Sequence, residues 1–352
     1  AGAAVLAATT TPVTLHLRTA ADEGGALTAI GHLSTTLNCT SITIGPSDAD
    51  VTVDWSAGRV AGGIPQPDGS VRPIDLLRVV GDRITLLLAG DGDDVAEIFD
   101  RQVRALSDEG QRVLRQLHVG VVGAGGTGSA VCEQLIRLGV GHLTVIDHDV
   151  ITDTNVTRVW GSTIDDVGTP KVAIVTRSAA AIGLGTTVTP VHDSIANEQA
   201  AKALRHCDVI LGCTDDNVGR LVLCRLAYVY VIPVIDMGVQ IDTHDDGRVT
   251  AIDGRVTYMV PGLPCLDCRG WIDHERLDAE EIPDDELAEL EADGYVVGLD
   301  NPDPSVIPYT TAVAAQAIAD LLARLFGLSQ VPADQILQFH AHQVRTPGRA
   351  SH

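Results

Sequence analysis

The 352-residue sequence is poor in aromatic rings, with three Trp, five Tyr and three Phe. A core must therefore be built from Val, Ile, Leu and Ala, and apolar residues reach 45% of the chain. That share is ordinary for a globular protein and excludes a disordered or fibrous one. Lysine is scarcer still. Lys171 and Lys202 are the only two, so nearly every cation is an arginine and the placement of Lys171 stands out. Positive charge as a whole is short, because 24 Lys and Arg face 47 Asp and Glu for a net charge of −23. A surface of that sign repels phosphate backbones, so nucleic acid is not an expected partner. No apolar run reaches the length of a membrane span, and no membrane partner is expected. Residues 1–8 are apolar but short and lack a basic flank, a poor match to a signal peptide. The seven cysteines are odd in number and scattered, with one close pair. That is no disulfide framework, and a reducing, cytoplasmic setting is expected.

What is present divides the chain in two. Residues 1–95 carry short β-type runs at Ser41–Ile44, Val51–Val53, Arg78–Val80 and Ile84–Leu88, the last two around a Gly81-Asp82 turn. They show no catalytic constellation. Asp94–Leu117 mixes apolar and charged residues at helical spacing and leads into residues 96–352. There strands and helices alternate. Strands are expected at 118–122, 143–146, 188–192, 209–212 and 231–236, with helices at 129–138, 171–182, 198–204 and 217–230 between and after them. This alternation predicts an α/β fold, a Rossmann-like, doubly wound and mostly parallel sheet, preceded by a small N-terminal α+β segment. Further on, Asp253-Gly254 between two β-type runs predicts a hairpin. Asp284–Asp293 reads as an acidic helix, Tyr309–Phe326 as a helix packed on the sheet, and Ile336–Val344 as a closing strand.

The first chemical signal is Gly123-Ala124-Gly125-Gly126-Thr127-Gly128, after a strand and before a helix. Glycines let a backbone approach a phosphate, and a helix N-terminus offers it free N–H groups. Asp147 ends the next strand, where a carboxylate accepts from ribose hydroxyls. This much fits NAD as well as ATP. The residues that follow favour ATP. Asp149, Asn155 and Arg158 come next, and then Lys171 at the start of a helix. Asp215 and Asp216 follow another strand, at the carboxyl edge where open α/β sheets bind ligands. Transfer of an AMP group develops charge on the α-phosphate and the pyrophosphate, which cations and a carboxylate-held Mg²⁺ stabilise. Taken singly, Arg158 or Lys171 reads as a surface charge and Asp215 as a helix N-cap.

The run Val119–Asp236 resembles the adenylation domain of the ThiF/MoeB/HesA and ubiquitin-activating enzyme superfamily. The family pattern, a G-x-G-G-x-G loop, D-x-D, N-x-x-R-Q, G-x-x-K and T-D-N-x-x-x-R, reads here as Gly123–Gly128, Asp147/Asp149, Asn155/Arg158, Gly168/Lys171 and Asp215/Arg220, in order. The resemblance implies that Asp147 binds ribose, that Asn155, Arg158 and Lys171 bind the triphosphate, and that Asp215 coordinates Mg²⁺. Arg101-Gln102 looks like the family's upstream R-Q, which implies an arginine reaching the ATP of the other subunit of a homodimer. The implied reaction is adenylation of the C-terminal carboxylate of a ubiquitin-like protein or peptide with a flexible tail. Two positions depart from the pattern: Val159 replaces the usual Gln, and Asp216 the usual Asn.

Cys265 and Cys268 form a C-x-x-C that many family members complete with a second pair to hold Zn²⁺. This sequence has no second pair; His340 and His342 are substitutes if they share a strand face. The alternative is two free thiols. No cysteine lies between 270 and 310 to take a thioester, which leaves an enzyme that stops at the adenylate or one that uses Cys265 or Cys268. Residues 294–296 with 304–307 resemble bacterial members encoded with a JAB-type domain, and residues 71–81 resemble the tail of such a domain, whose H-x-H-P metal motif is absent here. Two other readings stay open: an NAD-dependent Rossmann oxidoreductase, and a non-catalytic nucleotide-binding scaffold.

Overall fold

The computed structural model describes residues 13–18, 27–31, 41–44, 50–54, 59–65, 70–73, 76–90, 94–244, 248–274, 276–277, 304–341 and 343–345. The acidic helix expected at 284–293, residues 294–296 and His342 lie outside them. The chain forms two compact units. The first comprises Ala1–Leu117, Val260–Gly262 and Leu321–Val331, and the second His118–Met259, Leu263–Asp320 and Pro332–His352.

The first unit holds a mainly antiparallel sheet. Its strands are β1 (Val13–Arg18), β2 (Leu27–Gly31), β3 (Ser41–Ile44), β4 (Asp50–Asp54), β5 (Arg59–Pro65), β6 (Val71–Pro73), β7 (Leu76–Val80) and β8 (Ile84–Leu88). They run in the order β2-β1-β7-β8-β5-β4-β3, with β6 on β5. The expected pair at 78–88 is the β7–β8 hairpin. Helix α1 (Asp100–Gln116) follows. It breaks at Ser107, where φ is +66° and the hydroxyl accepts from Gly110 N at 3.3 Å, an N-cap that restarts the helix.

The second unit carries the site. Its sheet runs β11 (Thr187–Val191), β10 (His142–Ile146), β9 (His118–Val122), β12 (Val209–Gly212), β13 (Val234–Thr243), β14 (Val249–Met259), β15 (Asp334–Gln338) and β16 (Gln343–Arg345). The first five are parallel and the rest antiparallel. The order turns from descending to ascending between β9 and β12, so a crevice opens beyond their carboxyl ends. Val119, Val121, Leu143, Val145, Val209 and Leu211 are fully buried, as a parallel sheet between helices requires. The helices are α2 (Gly126–Arg137), α3 (Lys171–Ile182), α4 (Glu198–Ala203), α5 (Asn217–Val229) and α6 (Ile307–Phe326). Each of these helices has a stop or a start written into the sequence at one end at least; Gly183, left-handed at φ +70°, ends α3.

Two expectations fail here. Asp253-Gly254 makes no hairpin: β14 runs straight through, pairing Asp253 with Gln240 on one side and Gln338 on the other. Gly254 serves close packing instead, because a Cβ there would collide with Val313 of α6. The expected strand 336–344 is also broken. A 3-10 turn at Phe339–Ala341 separates β15 from β16, so His340 does not sit on a strand.

Candidate adenylation site

At two of its four glycines, the loop is shaped by contacts that leave no room for a side chain. Gly123 has φ +89°, and a Cβ there would stand 2.7 Å from Cys213 O. A Cβ on Gly128 would overlap Gly123 O. One on Gly126 would make ordinary contact, at 3.4 Å, with the stem of Arg158. Gly125 differs: it precedes α2 with ordinary φ, and a Cβ there would meet nothing within 4 Å. No side chain caps α2, so its first-turn N–H groups have no side-chain acceptor. An uncapped helix start beside an empty cradle fits a phosphate.

Asp147 holds the loop in place. Its Oδ2 accepts from Ala124 N at 2.6 Å and its Oδ1 from Asp149 N at 2.8 Å. Asp149 then binds Lys171 twice. Lys171 N donates to Asp149 O at 3.0 Å, and Lys171 Nζ donates to Asp149 Oδ2 at 2.6 Å. Burial opposes ionisation of Asp149, but the Lys171 ammonium outweighs it and holds the carboxyl below its ordinary range. Lys171 is itself buried, and Asp149 is the carboxylate paired with it.

Asn155 and Arg158 lie in the loop between β10 and α3. The Asn155 side chain accepts from Thr152 N at 3.3 Å, and Arg158 Nη1 donates to Thr154 O at 2.9 Å. Trp160 ties this loop down, its N–H to Ser129 Oγ at 3.0 Å and its Nε1 to Thr311 Oγ1 at 3.2 Å. Val159 packs with Ile151 and Ile174 in a small apolar cluster, which is what the departure from Gln provides. Further along, Asp166 takes a two-pronged contact from Arg177, 2.5 and 2.8 Å, and the guanidinium holds the carboxyl well below the usual carboxylate range.

On the far side of the crevice, Asp215 is exposed and makes no hydrogen bond or ion pair among the described residues. Asp216 is the N-cap of α5, accepting from Gly219 N and from Thr214 Oγ1. The sequence offered the cap to Asp215; Asp216 caps the helix instead. Asp236 and Arg255 were not read from the sequence. They form a buried pair, Nη2 to Oδ2 at 2.6 Å, and the signal was a carboxylate inside the apolar run Val234-Ile235-Asp236-Met237. Arg101 belongs to the first unit, where it is exposed on α1.

The cysteines separate by environment. Burial pushes the thiol of Cys132 up to about 12 and that of Cys224 to about 11, and puts Cys213 well above its ordinary value. Burial also acts on Cys265, but hydrogen bonds from the Cys268 N–H and thiol, with Sγ atoms 3.4 Å apart, bring it below the ordinary value. A zinc site needs more than these two. Among the described residues only Asp147, His148 and Asp149 bring three such ligand atoms within 4.8 Å of one another. His340 instead lies against Ile252 and Asp253. The described residues therefore do not complete a zinc site. Among them, no helix is long and apolar enough to cross a membrane.

A nucleotide crevice at the carboxyl edge of a doubly wound sheet, with a buried lysine beside it, defines a nucleotide-binding α/β protein. The ThiF family model matches residues 99–350, and the chain belongs to the ThiF family. It is 30% identical over 160 residues to the SAMP-activating enzyme E1 of Haloferax volcanii, covering 46% of this chain and 56% of that one. It is 28% identical over 174 residues to the molybdopterin-synthase adenylyltransferase of Escherichia coli, covering 48% and 66%. The chain thus spans roughly half to two thirds of the length of these relatives. A crystal structure of E. coli MccB with ATP shares the fold, with a TM-score of 0.55 at 19% identity over 72% of each chain.

Proposed function

We propose that this chain catalyses the ATP-dependent adenylation of the C-terminal carboxylate of a ubiquitin-like protein or peptide. The observation that carries the reading is the convergence, at one sheet edge, of an uncapped α2 start over Gly125, the buried Lys171 paired with the exposed Asp149, and the free Asp215 carboxylate. In this reading the amides of the glycine loop cradle phosphate, and Asp147 keeps them there while its remaining lone pairs face the ribose. Lys171 and Arg158 draw charge off the α-phosphate as the acceptor carboxylate attacks and pyrophosphate leaves. Asn155 orients the same phosphates. Mg²⁺, when bound, neutralises the triphosphate, and Asp215 is the residue placed to hold it. Asp216 contributes by fixing the start of α5. A dinucleotide-only hydride site leaves Lys171, Arg158 and Asp215 without a task.

Three further assignments belong to this proposal. Residues 96–352 form the adenylation domain and 1–95 an accessory one. The enzyme works as a cytoplasmic homodimer, with Arg101 serving the partner's triphosphate. Cys265 is the thiol suited to any later transfer, as the one whose ionisation is favoured.

The test is the thermal stabilisation of the full chain by ATP with Mg²⁺, against NAD⁺ and NADH, in the wild type and in Arg158→Ala. Stabilisation by ATP that the substitution reduces about tenfold in apparent affinity is expected. Stabilisation by the nicotinamide nucleotides alone overturns the reading.

A further inference from the structure

A second set of residues lies at the same sheet edge and takes no part in the steps above. Asp236, on β13, is completely buried. Its Oδ2 is 2.6 Å from Arg255 Nη2 in an ion pair, and neither Oδ1 nor Oδ2 accepts a hydrogen bond among the described residues. A Cβ on Gly212 would stand 2.8 Å from that Oδ1, so the glycine lets β12 pass. Arg255 is buried too, donating from Nη1 to Thr257 Oγ1 at 3.2 Å. Its Cζ lies 4.9 Å from the centre of the Trp271 ring, a cation–π stack.

Trp271 begins a short strap. Its carbonyl accepts from Arg220 Nη1 at 3.5 Å, and Asp273 N donates to Asn217 Oδ1 at 2.9 Å. Asn217 and Arg220 lie in the first turns of α5, directly after Asp215 and Asp216. A column of contacts therefore runs from the core to the start of α5: Asp236, Arg255, Trp271, then Arg220 and Asn217. A buried ion pair is a poor way to add stability, since apolar residues of like volume serve as well. A planar guanidinium is, however, a good way to fix the plane of an indole.

We propose that Arg255 is a positioning residue for the nucleotide site: Asp236 fixes its guanidinium, the guanidinium fixes Trp271, and the 271–273 backbone then holds the start of α5 so that the Asp215 carboxylate faces the crevice. This rests on the adenylation reading of the site. Arg255 itself touches neither nucleotide nor metal.

The experiment uses the full chain. ATP binding is titrated by calorimetry with Mg²⁺ and again with a chelator, and amide hydrogen exchange is followed at 217–220 and 271–273. In Arg255→Gln, affinity without Mg²⁺ stays within about twofold of wild type, while the gain on adding Mg²⁺ falls about tenfold. Exchange at both sets of amides accelerates. Arg255→Lys keeps the charge opposite Asp236 and recovers part of the gain. Should Arg255→Gln not fold, Trp271→Ala leaves the ion pair intact and shows the same selective loss. A wild-type Mg²⁺ gain in Trp271→Ala overturns the proposal. So does a loss of equal size with and without Mg²⁺, which marks general collapse. A wild type that binds no ATP in either condition removes the adenylation reading and this role with it, an outcome distinct from any confined to the variants.

Discussion

The two sides of the crevice are ordered by different means. On the β9–β10 side, order comes mainly from the backbone: Gly123 against Cys213, Gly128 against Gly123 O, and two main-chain amides held by the Asp147 carboxylate. On the β12–β14 side it comes from side chains: Asp216 capping α5, and the Asp236–Arg255–Trp271 column. Backbone contacts cannot relax without moving the fold, whereas side chains have rotamers. The glycine side is thus a rigid cradle, and the far side is adjustable by substitution.

The largest effect that would break this contrast lies within one loop. Gly128→Ala forces a Cβ onto a carbonyl that has nowhere to go, and should cost on the order of 4 kcal/mol or leave no folded protein. Gly125→Ala, three residues earlier, meets nothing. Its melting should stay within about 1 kcal/mol of wild type, while ATP binding weakens about tenfold because the methyl occupies the phosphate's place. Denaturant unfolding and calorimetry read the two effects separately. Equal stability in both variants would mean that the loop yields and the cradle is not rigid.

An intermediate effect is expected where a glycine faces side chains. A Cβ on Gly254 presses on Val313 and comes within 3.1 Å of Phe339. Gly254→Ala should cost about 1–3 kcal/mol, and Val313→Ala in the same chain should return part of it by making room. Simple additivity of the two losses in a double-mutant cycle would place the strain in the backbone instead.

The same contrast decides what the sequence made visible. The glycine loop, Asp147, Asp149 and Lys171 fall at short fixed spacings along strand–loop–helix units, so their convergence follows from chain order. Val159 was legible as a departure but not as part of the Ile151–Ile174 cluster, since packing partners are distant in sequence. Asp253-Gly254 has turn chemistry and yet stays extended, because pairing on both edges of β14 and the approach of α6 outweigh a local preference. The Asp236–Arg255 pair was hidden for a related reason: its partners are diagonal neighbours on the antiparallel strands β13 and β14, a contact that depends on the pairing register.

The smallest effect concerns the loop that joins the two kinds of order. Asp166 and Arg177 fasten the segment between Arg158 and Lys171 through a charged pair in which Asp166 is buried and Arg177 half exposed. The guanidinium lowers the Asp166 carboxyl below its unfolded value near 4, so the pair contributes stability that is present above that pH and lost as pH falls through the lowered value. Arg177→Ala should therefore melt below wild type by a constant small margin around neutrality. The margin should shrink once the pH drops below about 4. Salt should narrow it too, since Arg177 is half exposed. A margin that persists unchanged at low pH would assign the effect to the hydrogen bond from Arg177 to Gly161 O, and so to backbone order. A margin that closes places this loop with the side-chain-ordered half of the crevice, where Lys171 is then delivered by charge and not by packing.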